Sequence, residues 1–219
     1  NQVNQCWKDL ENIGVASTTV PVTYMNSSAA IKSFTGEHGG TICTSSNAQK
    51  TLEWAFAKAE KVLFLPDQHL GRNTAVLSLG LSLEDCVLWN PWKPMGGLTE
   101  DEIRGAKMIL WRGHCSVHGR FTRDSVNEVR ERVPGVQVIV HPECQHEVVM
   151  AADVVGSTEK IIQTVTNSAP GSKWAIGTEL NLVSRLAQNN PDKEIVFLDK
   201  TVCYCSTMNR IDLPHLVWA

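Results

Sequence analysis

Two of the seven cysteines lie in matching sequence contexts. Cys115 is followed by serine in GHCSVH, and Cys205 is followed by serine in CYCSTM. Each comes after the last strand predicted in its half of the chain, so the two thiolates can point at a common centre. Two thiolates complete neither a zinc site nor a four-iron cluster. The pairing predicts a third related unit with a third cysteine, which leaves one iron of a [4Fe–4S] cluster open as a Lewis acid.

A zinc hydrolase site is one alternative, and it would need further ligands beside Cys115, for which His114 and His118 are available. Cys203 shares a face with Cys205 if the segment is extended, but the Cys-Ser match selects Cys205. An odd number of cysteines in a chain of 219 residues argues against a disulfide framework. It favours a reducing compartment, which predicts a cytoplasmic protein.

The segment His141-Pro142-Glu143 places an imidazole and a carboxylate at the end of a predicted strand. Such a pair can carry out general acid–base catalysis. The alternative is a buried histidine with its hydrogen bonds satisfied beside a solvated glutamate. The residues alone leave both interpretations open.

Two hydroxyl-rich turns precede predicted helices, TSSN at 44–47 and GST at 156–158. Backbone N–H groups and hydroxyls at a helix N-terminus favour phosphate or carboxylate binding. Ser45, Ser157 and Thr158 are therefore candidate anion-binding residues. A simple helix cap is the alternative for either turn, and the recurrence of the two turns favours an anion site.

Short runs of Val, Ile and Leu alternate with amphipathic stretches along the chain. The predicted strands are Val20–Met25, Lys61–Leu65, Lys107–Trp111, Val136–Val140, Lys173–Ile176 and Glu194–Leu198. The predicted helices are Ser27–Phe34, Ala48–Ala59, Thr122–Arg132, Glu143–Ala152, Thr158–Val165 and Leu180–Gln188. Strands without polar alternation suit parallel sheets covered on both faces, so the pattern predicts an α/β protein with αβα layers.

An internal repeat organises these elements. PVTYMNSS, TICTSSNA and VLFLPDQHLG are followed, in the same order, by QVIVHPEC, DVVGSTEK and KWAIGTELN. We predict a first α/β unit at 1–112, a second at 113–205, and the start of a C-terminal helix at 206–219. The stretch 84–105 has no counterpart in the second copy, and its Pro, Gly and Trp content predicts a surface loop or flap.

In open α/β sheets, ligands bind beyond the carboxyl ends of the strands. The polar residues predicted there are Tyr24, Asn26, Ser45, Asn47 and Asp67 in the first copy, and His141, Glu143, Ser157, Thr158 and Glu179 in the second. The net charge of −3 and the absence of a basic block argue against nucleic acid as a partner. No apolar run approaches the roughly 20 residues of a membrane span, so we expect no membrane partner.

Nine segments together resemble the quinolinate synthase family and cover nearly the whole chain. They are VTYMNSS, ICTSSNA, FLPDQHLGRN, GHCSVHGRF, VIVHPEC, VGSTEKI, IGTELNLV, PDKEIVFLD and CSTMNRIDLPHLVWA. The resemblance implies three related α/β domains around a pseudo-threefold axis and a [4Fe–4S] cluster held by one cysteine from each. It implies condensation of iminoaspartate with dihydroxyacetone phosphate to quinolinate in de novo NAD biosynthesis. An L-aspartate-oxidising enzyme is the implied pathway partner.

The resemblance also implies roles for single residues. Cys115 and Cys205 match cluster ligands, and Tyr24, His141 and Glu143 match the groups that handle protons. Asn26, Ser45, Ser157 and Thr158 match residues that hold carboxylate or phosphate oxygens. His118 is implied to line the site, and Met208 to pack near the cluster.

The family's first domain, with the third cysteine, normally precedes NQVNQCWKDL, and it is not in this sequence. Cys6 does not replace that cysteine, because it lies in an amphipathic helical stretch. We therefore expect the 219 residues alone to be inactive. A non-enzymatic function remains the alternative, in which two Rossmann-like units bind a phosphorylated or dicarboxylate ligand.

Overall fold

The computed structural model of the chain describes residues 2–201, 205 and 207–218, without the side chain of Asn209. The chain divides into two compact units, Asn1–His114 and Cys115–Ala219. Both units are built from parallel strands and helices, so the predicted α/β class is confirmed. Among the described residues, no helix combines the length and the apolarity that crossing a membrane requires.

The first unit contains a five-stranded sheet in the order β2-β1-β3-β5-β4, with every neighbouring pair parallel. Its strands are β1 (Thr19–Tyr24), β2 (Thr41–Cys43), β3 (Lys61–Leu65), β4 (Cys86–Trp89) and β5 (Met108–Trp111). Its helices are α1 (Gln2–Asn12), α2 (Ala29–Glu37), α3 (Ala48–Lys58), α4 (Gln68–Leu79) and α5 (Glu100–Gly105). The predicted patterns did not include α4.

Successive residues of β3 belong to opposite sides of this sheet. Val62 and Phe64 pack into one buried cluster, whereas Leu63 and Leu65 pack into another. Because side chains alternate along a strand, an uninterrupted apolar run is what a sheet covered on both faces requires. This gives the first unit its three αβα layers.

The second unit contains a four-stranded parallel sheet in the order β7-β6-β8-β9. Its strands are β6 (Gln137–Val140), β7 (Val154–Val155), β8 (Lys173–Gly177) and β9 (Glu194–Phe197). Its helices are α6 (Arg123–Arg132), α7 (His146–Ala151), α8 (Thr158–Thr166), α9 (Leu180–Asn189) and α10 (Leu213–Trp218). Val138 and Val140 pack on one side of the sheet, and Ile139 packs on the other.

The two sheets share one strand order. With β4 set aside, β2-β1-β3-β5 corresponds to β7-β6-β8-β9, and the intervening helices follow in the same sequence. The pairing register extends the match to single residues. Thr23 pairs with Leu65 as Val140 pairs with Gly177, so Tyr24 occupies the position of His141 and Asp67 that of Glu179. This shared order and register support the internal repeat.

The interpretation of residues 84–105 as a surface loop was wrong. The segment contains β4, which pairs with β5 along four residues, and α5, which begins at a capping box between Thr99 and Glu102. Trp89 and Ile103 are buried in the core of the first unit. The segment therefore adds an edge strand and a helix to the repeated plan.

Candidate functional site

The ends of β6 and β8 bring two polar segments together in the second unit. The N–H of His141 donates to the carbonyl of Gly177 at 3.0 Å, one residue beyond the last strand pair. A Cβ atom at position 177 would lie 2.9 Å from Val140 Cγ1, so glycine permits this close approach. The turn after β6 therefore lies beside Thr178.

Three ionisable side chains cluster at this edge, and all three are buried. The Nδ1 atoms of His141 and His118 lie 3.2 and 3.4 Å from Oε2 of Glu143. The two imidazole rings stack with centroids 4.4 Å apart and planes inclined by 17°. The structure thus brings the predicted His141–Glu143 pair together and adds His118 to it.

Backbone and hydroxyl contacts orient both imidazoles. The N–H of Glu143 donates to Nδ1 of His141 at 3.3 Å, which makes that nitrogen an acceptor. Nε2 of His118 lies 3.2 Å from Oγ1 of Thr178. Thr178 was not among the predicted site residues.

Burial disfavours charge on both imidazoles. Desolvation lowers the pKa of His118 to about 4. Desolvation also lowers the pKa of His141 well below its usual value, and the neighbouring His118 lowers it further. Burial and the repulsion between two charged stacked rings both favour the neutral imidazoles, which offer lone pairs and N–H donors.

Cys115 lies next to this cluster. It is half-buried, and one ligand atom from each of Cys115, His118 and Glu143 lies within 4.8 Å of the others. Thiolate, imidazole and carboxylate are the ligand types of transition-metal sites. Among the described residues, these three can therefore hold a metal.

The cysteines differ in their surroundings. Cys6, Cys43 and Cys144 are buried in the cores, and burial raises the pKa of Cys43 to about 12, so that thiol stays protonated. Cys86 is partly buried, and desolvation raises its pKa to about 11. Cys115 and Cys205 are half-buried and form no disulfide, which suits residues that give thiolates to a cluster. Cys203 lies outside the described residues.

The hydroxyl-rich turn of the second unit caps a helix. Oγ of Ser157 accepts from the N–H of Lys160 at the start of α8, and Thr158 is the exposed first residue of that helix. Glu179 caps α9 by accepting from the N–H of Leu182. Ser157 therefore makes the hydrogen bond expected of a simple helix cap, and its anion-binding role stays a prediction.

In the first unit, the predicted residues follow β1 and β2. Tyr24 is buried at the end of β1, Asn26 is exposed before α2, and Ser45 is half-buried in the turn before α3. The Oδ1 atom of Asn47 accepts from the N–H of Thr44 and closes that turn. These side chains lie at the carboxyl edge of the first sheet, as predicted, and their chemical roles stay predictions.

Two further residues singled out from the sequence, Asp67 and Met208, are not part of the ionisable cluster. Asp67 is buried and caps α4 by accepting from the N–H of Leu70 at 2.8 Å. Met208 is half exposed in a short 3-10 helix, and its predicted packing near a cluster is not tested by the described contacts.

One signal could have identified Thr178 in advance. In IGTEL, a threonine and a glutamate follow a strand where the first copy has proline and aspartate in FLPDQ. The acidic residue of each copy is the helix cap, so the residue before it lies at the end of a strand, and in the second copy this residue is Thr178 beside the turn after β6. Only in the second copy does that residue have a hydroxyl.

Comparisons with known proteins agree on one family. The Quinolinate synthetase A protein family matches residues 1–219. Over 219 residues the chain is 72% identical to the quinolinate synthase of Streptomyces coelicolor, covering 99% of this chain and 56% of that protein. Over 224 residues it is 64% identical to the quinolinate synthase of Nocardioides sp., covering all of this chain and 57% of the relative.

A more distant relative gives the same result. The Bacillus subtilis quinolinate synthase is 54% identical over 218 residues, covering all of this chain and 58% of that protein. The chain thus spans a little over half the length of the curated relatives it matches.

Proposed function

This chain belongs to the Quinolinate synthetase A protein family, and we propose that it supplies two α/β units of an enzyme that forms quinolinate. The proposed reaction condenses iminoaspartate with dihydroxyacetone phosphate and releases phosphate and water. The observation that carries the proposal is the buried His118–His141–Glu143 cluster beside Cys115. Proton-transfer groups next to a half-buried thiol suit a dehydrating condensation assisted by a metal centre.

Cys115 and Cys205 are the residues that would hold the [4Fe–4S] cluster. Both are half-buried and form no disulfide, whereas Cys6, Cys43 and Cys144 fill the cores. Cys115 follows β5, the last strand of the first sheet, and is the first residue of the second unit. When bound, the cluster supplies an iron with an open position that acts as a Lewis acid. The relatives contain residues beyond the matched segment, and we propose that the third thiolate comes from there.

Glu143 and His141 are proposed to move protons. The carboxylate of Glu143 can accept a proton from carbon or nitrogen of a bound substrate. With its Nδ1 accepting the backbone N–H of Glu143, neutral His141 carries its proton on Nε2 and can donate it to a departing oxygen. Because both groups are buried, water is excluded and these contacts are stronger than they would be in solvent.

The remaining predicted residues are proposed to bind and orient. Asn26, Ser45, Ser157 and Thr158 would hold carboxylate or phosphate oxygens, and the N-terminus of α8 adds its backbone dipole at Thr158. Tyr24 occupies in the first sheet the register position that His141 occupies in the second, and we propose that it also handles protons.

The chemistry of iminoaspartate implies a supplying enzyme. An imine hydrolyses readily in water, so an L-aspartate-oxidising enzyme acting in the same compartment is the proposed source. The proposed place of the reaction is the cytoplasm, where a reducing environment preserves thiolates and iron–sulfur clusters.

A chimeric enzyme tests this proposal. The chain would replace the matched segment of the Streptomyces coelicolor quinolinate synthase, to which it is 72% identical. After anaerobic purification, we expect a four-iron cluster and formation of quinolinate from iminoaspartate and dihydroxyacetone phosphate. The 219-residue chain alone, assayed in parallel, should show no turnover.

Two results would count against the proposal. A chimera that holds a full cluster, is folded and forms no quinolinate would show that these units do not support the reaction. A chimera that binds a phosphorylated or dicarboxylate ligand without any cluster would favour the non-enzymatic alternative. The unmodified Streptomyces coelicolor protein is the positive control for both measurements.

A further inference from the structure

His118 has an unpaired nitrogen in the interior of the second unit. Its side chain is buried, with 7% of the residue exposed, and Nδ1 has no hydrogen-bond partner among the described residues. The other ring nitrogen, Nε2, contacts Oγ1 of Thr178 at 3.2 Å. Buried polar atoms in native proteins are almost always paired, so an unpaired ring nitrogen points to a ligand.

The atoms nearest to this nitrogen suit a cation. Nδ1 of His118 lies 3.4 Å from Oε2 of Glu143, without the alignment of a hydrogen bond. Nδ1 of His141 lies 3.2 Å from the same oxygen, and it already accepts the N–H of Glu143. Electron-rich atoms from three side chains therefore converge on one place, and a positive ion among them would offset their repulsion.

We propose that Cys115, His118 and Glu143 together bind a single Zn²⁺ ion when no iron–sulfur cluster engages Cys115. One ligand atom from each residue lies within 4.8 Å of the other two. Zinc bond lengths of about 2.0–2.3 Å give a tetrahedron with edges of about 3.3–3.8 Å, so a small side-chain movement closes the site. Three protein ligands leave the fourth position to water.

The mixed ligand set selects the kind of metal. Thiolate and imidazole favour zinc over magnesium and calcium, which prefer an all-oxygen shell. The site uses no residue of the first unit, and it does not depend on the proposed condensation activity. Because it shares Cys115 with the proposed cluster, bound zinc would exclude the cluster from that thiolate.

Thr178 is the positioning residue of this site. With Oγ1 at 3.2 Å from Nε2, its hydroxyl can accept a hydrogen bond from Nε2–H of His118, which leaves the lone pair on Nδ1, towards Glu143. Such outer contacts fix the tautomer of a metal-binding histidine, and their loss typically weakens metal binding about 10–100-fold.

The test is a metal titration of the metal-free 219-residue chain under anaerobic conditions. Calorimetry with Zn²⁺ should give one site per chain. Co²⁺, used as a spectroscopic substitute, should give a thiolate-to-cobalt absorption band and the intense visible bands of a tetrahedral ion. A chain that binds neither ion, or binds Co²⁺ without the thiolate band, would overturn the proposal.

Variants assign the ligands. Cys115→Ser should abolish the thiolate band, and His118→Gln and Glu143→Gln should weaken Zn²⁺ binding more than Thr178→Val, for which about 10–100-fold is expected. His114→Gln is the matched control, because this exposed histidine lies next to Cys115 in sequence and should not change the affinity. Circular dichroism and thermal unfolding would verify that each variant is folded.

The variants also separate this site from the cluster. Cys205→Ser should leave Zn²⁺ affinity unchanged while it removes a proposed cluster ligand. Unchanged zinc affinity in folded His118→Gln, or equal loss in His114→Gln, would contradict the assignment. Both results could be obtained whether or not the chimera forms quinolinate.

Discussion

The two units have the same strand order but place different chemistry at the same edge. Where β1 ends in Tyr24, β6 is followed by His141, and the Pro66-Asp67 turn of the first unit corresponds to Thr178-Glu179 in the second. Both acidic residues cap the next helix. In the second unit, the same edge also gathers buried imidazoles and a carboxylate within 3.4 Å. The shared scaffold sets the positions, and a few substitutions decide which side chains lie at each edge.

The cysteines sharpen this contrast. In the first unit, Cys43 ends β2 inside the core, and desolvation keeps its thiol protonated. In the second unit, Cys115 is half-buried beside His118 and Glu143. Burial and neighbours therefore separate a core residue from a candidate ligand within one chain.

The largest expected effect is loss of the cluster. In the chimeric enzyme, Cys115→Ala should abolish cluster assembly because it removes a thiolate ligand. Cys43→Ala is the matched control from the first unit and should retain iron, since its buried thiol is available to no ligand. Iron and acid-labile sulfide, measured after anaerobic reconstitution, report the result.

Substitution of Cys203 and Cys205 gives an independent test of which cysteines bind the cluster. Cys205→Ala should also abolish assembly, whereas Cys203→Ala should have a mild effect. Loss of iron in Cys203→Ala with retention in Cys205→Ala would show that the Cys-Ser match selected the wrong residue.

The next effect is on turnover. Glu143→Gln in the chimera should keep the cluster and lower kcat by about 10²–10⁴-fold, because a positioned acid–base group is lost. Asp67→Asn is the control from the first unit, since asparagine caps a helix as well as aspartate does. If the two variants retain similar activity, Glu143 has no special role in proton transfer.

A smaller effect, on stability, tests the segment that only the first unit has. Ile103 is fully buried, so Ile103→Ala should lower the free energy of unfolding by about 2–5 kcal/mol. Trp92 in the same segment is 83% exposed, and Trp92→Ala should change the free energy of unfolding by no more than about 0.5 kcal/mol. Urea unfolding of the 219-residue chain measures both. If both substitutions have equally small effects, residues 84–105 contribute no more to stability than a surface loop does.

The smallest effects should be the same in the two units. Asp67→Ala and Glu179→Ala each remove a side chain that accepts an N–H at a helix start. Each should lower the free energy of unfolding by about 0.5–2 kcal/mol. A large difference between the two, measured by urea unfolding, would mean that one carboxylate has a function besides capping.

Much of the fold was predictable because its strands are buried on both faces. The run Lys61–Leu65 was predicted with its observed bounds, since five consecutive buried residues leave little choice of structure. Residues 84–105 were misjudged because Pro, Gly and Trp are typical of loops, and β4 has only four residues. The burial of Ile103 depends on long-range packing that a local pattern does not contain.

The candidate site was predictable only where one short segment contains it. His141 and Glu143 are two residues apart, so their pairing follows from sequence. His118 and Thr178 are 60 residues apart and meet because the ends of β6 and β8 are neighbours. The sign of that contact lies in the comparison of the two copies, where Thr178 replaces Pro66, because a threonine before a capping glutamate by itself resembles an ordinary helix start.

The outermost strands of both sheets are short, and this limits how copies of the chain can associate. Among the described residues, β2 has three residues and β7 has two, and the opposite borders, β4 and β9, have four each, so every border exposes few unpaired N–H and C=O groups. A second chain would find little backbone template on which to extend either sheet. Association would then have to use side chains, such as the apolar ones of α10, where Trp218 is 89% exposed. Such contacts are dispersed by mild detergent, unlike a growing β-ladder.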